Sequence, residues 1–170
     1  MKTTNKILFV LGLLVITSYG ASAQATATAT ASATILTAIS ITKTADMNFG
    51  NISVQASSGG TVILSTAGVR STTGGVTLPA TAGTVTAASF TIGGEGSYTY
   101  VITLPSAAHT IISGANNMTV TTFISNPSGT GQLTGGTQTL TVGATLNVAA
   151  GQATGVYASE TGFNVTVNYN

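Results

Sequence analysis

Cysteine and tryptophan are both absent from the 170 residues, and histidine occurs once. Without cysteine the chain can form no disulfide, no thiolate metal site and no lipid-bearing terminal Cys. A single histidine, His109, excludes a histidine metal cluster. A Ser/His/acid triad would have to be built on that one ring, and serine is too common here to single out a partner. Charge is scarce as well, with four Lys or Arg and three Asp or Glu in all. Asp46, Glu95 and Glu160 lie far apart in sequence, and nothing local pairs them for acid–base work on sugars. They read as turn residues: Asp46 before Met47, Glu95 in a hairpin between Gly93 and Gly96, Glu160 ahead of the last strand. Catalysis needs convergent titratable groups. The expectation is therefore no enzyme, with no catalytic, cofactor-binding or metal-ligating residue to assign.

From Gln24 onward, Lys43 and Arg70 nearly balance those three carboxylates. No basic face is available for phosphates, so nucleic acid is not an expected partner. A surface so poor in charge suits a chain destined for an assembly, since net charge is what keeps free monomers dispersed. Long apolar runs are missing too, save one. Lys2 and Lys6 precede an apolar stretch from Ile7 to Ile16, and Ala21-Ser22-Ala23 then supplies a small-x-small cleavage pattern. That is the signature of a secretory signal over residues 1–23, too short to span about 30 Å of hydrocarbon.

What the chain does have is alternation with a period of two. Ala25, Ala27, Ala29, Ala31, Ala33 and Ile35, followed by Ile39 and Ile41, alternate mostly with Thr and Ser. At the other end Phe163, Val165, Val167 and Tyr169 alternate with Asn164, Thr166, Asn168 and Asn170. Successive strand side chains point to opposite faces, so each run reads as a strand with one smooth and one polar face. Ala and Thr bury too little to order the first tract alone, so in a free monomer it reads as disordered. Residues 24–36 are accordingly assigned as an extension and possible donor strand, and 37–170 as the folded domain.

Gly pairs at 59–60, 74–75, 93–94 and 135–136 punctuate the domain. They read as hairpin turns supplied with positive φ; no Lys or helix follows to make them phosphate cradles. Between them strands are expected at 34–42, 47–54, 60–65, 75–78, 84–92 and 97–104. Others follow at 110–112, 117–125, 137–142, 144–148, 155–159 and 162–169. Short strands with turn signals every eight to twelve residues make an antiparallel sandwich or barrel, and no stretch has helical periodicity. Tyr98, Tyr100, Phe90, Phe123, Phe163 and Tyr169 read as core packing rather than a sugar-stacking platform. Three Asn-x-Ser/Thr sites, at Asn51, Asn117 and Asn164, are common by chance.

Several segments together resemble a bacterial secreted family, DUF4402. They are Met47-Asn48-Phe49-Gly50-Asn51-Ile52, Gly59-Gly60-Thr61-Val62, and Phe90-Thr91-Ile92-Gly93-Gly94-Glu95 with Ile102-Thr103-Leu104-Pro105. Val142-Gly143-Ala144-Thr145-Leu146 and the C-terminal block from Ala153 through Tyr169 complete the likeness. That family is similar in turn to spore coat U and to the fimbrial subunits of chaperone–usher systems. The fimbrial resemblance implies an antiparallel immunoglobulin-like β-sandwich missing one strand. The gap would be filled first by a periplasmic chaperone and then by the next subunit's N-terminal extension. The Cys pair common in those subunits is absent here.

The expected function is a secreted structural subunit, polymerising with copies of itself into pili, fibres or a surface coat on a bacterial cell. Its interface would be Ala25, Ala27, Ala29, Ala31, Ala33 and Ile35, its partners a periplasmic chaperone and outer-membrane export machinery. The alternative is a secreted module that binds or adheres to glycans or other surfaces. Ice binding is suggested only by the row Thr26, Thr28, Thr30, because flat Thr ranks need several strands with the same spacing.

Overall fold

The computed structural model describes residues 23–170, so the signal assigned to residues 1–23 lies, but for Ala23, outside the described residues. Residues 23–35 belong to a unit of their own, all exposed and with no strand or bridge. Leu36–Asn170 forms the second, compact unit, described from here on. It is all-β and antiparallel, consistent with the expected β-sandwich, and the described residues contain no helix.

Its large sheet is organised by one strand. β11 (Thr137–Val148) alternates without a break, from Gln138 through Leu140, Val142, Ala144 and Leu146 to Val148 on the inner face. Along one edge its first half pairs with β6 (Ala88–Gly93) and its second half with β3 (Gly60–Leu64). The change of partner comes at Gly143, where a Cβ would run into the Leu64 carbonyl oxygen. The other edge takes β9 (Asn116–Asn126), which bulges at Thr122 with φ +50° and then regains register. β1 (Ser40–Ala45) closes the sheet on β6, β4 (Arg70–Gly74) on β3, and β8 (His109–Ser113) on β9.

Two smaller sheets face it. β7 (Thr99–Thr103) lies between β10 (Thr130–Gln132) and β12 (Thr166–Tyr169); β2 (Ser53–Val54) pairs with β5 (Val76–Thr77). One core cluster joins the β6 end of the large sheet to Tyr100, Ile102 and Val167 of the three-stranded sheet. A second joins β3, β9 and the end of β11 to Val76 and Phe49. Met47 and Phe123 touch both, so one apolar layer runs beneath the whole sheet. Tyr100 is fully buried, and its hydroxyl donates to Gln138 Oε1 at 2.7 Å, as a buried phenol requires.

Several strand boundaries differ from expectation. The first strand starts at Ser40, not residue 34, because β6 offers its edge only to Ser40 onward. Residues 155–159 hold one bridge, Ile112 to Ala158, and form no strand. β4 and β10 were not foreseen, since Arg-Ser-Thr-Thr and Thr-Gly-Gln carry no apolar alternation. Of the Gly pairs, Gly74, Gly135 and Gly136 do have positive φ. Gly59, Gly60 and Gly75 are there for close approach instead: a Cβ on Gly60 would strike the Thr73 carbonyl, and one on Gly75 the Ser58 carbonyl.

Candidate functional site

A cleft of about 1120 Å³ lies between residues 47–54 and residues 152–163. Its floor is apolar, built from Phe90, Ile111, Met118, Val120, Leu146 and Val148. These are inner-face residues of β6, β8, β9 and β11; Phe90, Val120, Leu146 and Val148 are buried, Ile111 and Met118 half-buried.

The first rim is held from behind. Asn48 makes a two-bond bridge to Thr86, at 2.8 and 3.0 Å, and the Asn51 amide donates to the Ala82 carbonyl at 2.7 Å. Arg70 Nη1 donates to the carbonyls of Phe49, at 2.6 Å, and Asn51, at 2.9 Å. Arg70 thus works as a clamp, binding two carbonyls that form no strand ladder. Nothing in the sequence marked it beyond its being a lone cation among Thr and Ser.

The second rim is stapled by Tyr157. Its hydroxyl donates to the Ala153 carbonyl at 2.8 Å and accepts from Gln152 Nε2 at 2.8 Å, while the same Nε2 reaches the Asn117 carbonyl at 3.1 Å. Val156, on this rim, is 88% exposed. Near the end of the rim His109 Nε2 and Ser159 Oγ are 2.9 Å apart, and the His109 ring meets Phe163 edge-on at 6.0 Å. No carboxylate hydrogen-bonds to His109 among the described residues, and no group of three or more His, Asp or Glu side chains could hold a metal ion there.

The cleft is electrically quiet. Its charges are Lys43 and Asp46, joined at 2.6 Å in an exposed ion pair, a kind worth little in water.

The C-terminal residues flank one end of this region. Phe163 is half-buried against Phe123 at 5.0 Å, Val165 and Tyr169 are half-buried, and Val167 is buried. Asn164, Thr166 and Asn168 are exposed, but the ladder to β7 begins only at Thr166. Tyr169 closes a small polar knot. Its hydroxyl donates to the Thr37 carbonyl at 2.9 Å and accepts from the Glu95 amide at 2.6 Å. Thr37 in turn donates to Glu95 Oε2, through its hydroxyl at 2.7 Å and its amide at 3.2 Å. Those two bonds, the hydroxyl first, hold the Glu95 carboxyl below its ordinary range. Gly94 makes room for the knot, since any side chain there would collide with the Tyr169 hydroxyl.

The structure brings Phe163, Val165, Val167 and Tyr169 together along one edge. Ala25, Ala27, Ala29, Ala31, Ala33 and Ile35 stand exposed in the other unit, Ile35 at 96%. Tyr98, expected in the core, is 48% exposed; only its ring edge is engaged, against Tyr169 at 6.0 Å.

No curated protein and no solved structure matches this chain. A family model described as "Domain of unknown function (DUF4402)" matches residues 39–169, from the start of the first strand to the end of the last. The chain belongs to the DUF4402 family.

Proposed function

We propose that this protein is a secreted structural subunit that polymerises on the bacterial surface into a pilus, fibre or coat. In this reading, residues 24–35 of one copy lie as a strand in the cleft of the next. The observation that carries it is one chain holding both halves of such a joint. It has an apolar-floored, nearly neutral cleft of about 1120 Å³ and an exposed, charge-free alternating tract with no strand partner. Small Ala side chains permit close backbone approach, and exposed Ile35 extends the same smooth face, while Ile39 and Ile41 pack on this copy's own core. Each main-chain bond contributes only about 0.5–1.5 kcal/mol, so a firm joint needs many in register plus burial of Ile35. Before assembly, a periplasmic chaperone would occupy the cleft and keep other tracts out of it.

Deleting residues 24–33 tests this. The truncated chain should be secreted, folded and monomeric, and should form no filaments under negative stain. Ala29→Pro should weaken assembly in the same direction by removing a ladder donor. Identical filaments from the truncated chain would overturn the reading. A native surface free of any filament or coat containing the protein would favour a glycan- or surface-binding module instead.

A further inference from the structure

The face of the large sheet turned away from the core is almost all hydroxyl. Every outward position of β11 is Thr, Gly or Asn: Thr137, Thr139, Thr141, Gly143, Thr145 and Asn147. Cross-strand register extends this sideways. Thr42, Thr91 and Thr139 stand abreast on β1, β6 and β11, all exposed. Thr73, Thr61, Asn147, Thr119 and Thr110 form a second rank across five strands. The two cations in these strands, Lys43 and Arg70, lie in register with the inward-facing Phe90 and Leu64, so neither is on this face. No aromatic or charged side chain lies in these ranks. Three large apolar residues do share the face: Ile63 at 39% and Ile124 at 43% exposure, one on each side of β11, and half-buried Ile112 on the edge strand β8.

We propose that this outward face is a self-association surface whose occupant is the same face of a second copy, packed side by side. It goes beyond the end-to-end joint proposed above and does not depend on it. Soluble sheets usually carry charges that repel a like face, and here that protection is missing. The core of a protein–protein contact is likewise depleted in charge. Five strands about 4.8 Å apart, with roughly eight residues each at about 3.4 Å per residue, outline a face of roughly 650 Å². That approaches the roughly 800 Å² per partner of a standard stable interface. Shape selects the occupant. Adjacent strands twist by about 20–25°, which spoils a match to a flat lattice of ice or crystalline sugar. Two equally twisted sheets, however, pack face to face at about −30°. A two-fold axis would set Ile63 and Ile124 of each copy at the centre, ringed by Thr.

Sedimentation equilibrium on the full chain carrying Ala29→Pro, which disables the tract's strand pairing, separates this contact from the end-to-end one. A dimer should form as concentration rises, and adding Thr91→Lys should raise its Kd about tenfold or more, because like charges would meet across the axis. Thr42→Lys, on the edge strand, should act in the same direction and serves if Thr91→Lys does not fold, with circular dichroism as the check. A chain that stays monomeric to millimolar concentration would overturn the proposal, as would Lys variants that dimerise like their parent. A monomer that slows ice recrystallisation or adheres to insoluble glucan through this face would overturn it in favour of a lattice ligand.

Discussion

Glu95 is half-buried and far from any cation in sequence, and its carboxylate is the acceptor for both donors of Thr37. A carboxyl whose folded pKa is lowered contributes stability that is present above its unfolded value of 4.5 and is lost as pH falls through the folded value. The Thr37 contact should therefore persist through neutral pH and release only in acid, below the usual carboxylate range. In an NMR titration the Thr37 amide should shift with the Glu95 carboxyl as one event. In Glu95→Gln that event should vanish while the rest of the spectrum is retained. A Thr37 amide indifferent to pH would show that the two residues are not coupled. Because the site lies at the surface, the whole fold should not depend on it.

Elements are where sequence and structure can be compared most usefully. β12 illustrates a legible one: Val167 is buried between the sheets while Thr166 and Asn168 face out, as period-two reading requires. Burying one such side chain contributes roughly 1.5–3 kcal/mol, and a carboxylate in its place adds a desolvation cost. Val167→Asp should abolish stable folding, read by a protease-resistance assay; wild-type yield of resistant protein would place the strand elsewhere. β3, β6, β7 and β9 were legible for the same reason, each carrying apolar residues on alternate positions. β4 and β10 were not, because their inner positions are Arg70, Thr72 and Gly131, and pairing alone defines them. β11 was read as two strands because Gly143 looks like a turn in sequence; in the fold it is where one neighbour gives way to another. The cleft was invisible, since its floor and rims come from five segments spread between Lys43 and Phe163. The Thr ranks were hidden too, because they run across strands, and a linear scan sees only one strand's spacing.

At the scale of the whole molecule, the partner-sharing edge of β11 has a consequence in time. β1 waits for β6, Ser40 meeting Gly93, while both β6 and β3 dock on a strand that begins only at Thr137. Three of the six ladders of the large sheet, β1–β6, β6–β11 and β3–β11, thus require closure of a long loop before they are rewarded, the pattern that places folding in milliseconds to seconds. Stopped-flow refolding should show this, and completion within microseconds would contradict it. During synthesis the chain therefore passes through an interval in which β3 and β6 each keep one edge open, the edge that β11 later fills. Open edges of that kind pair with whatever strand is nearest. Folding of such a chain is a race between its own last third and its neighbours.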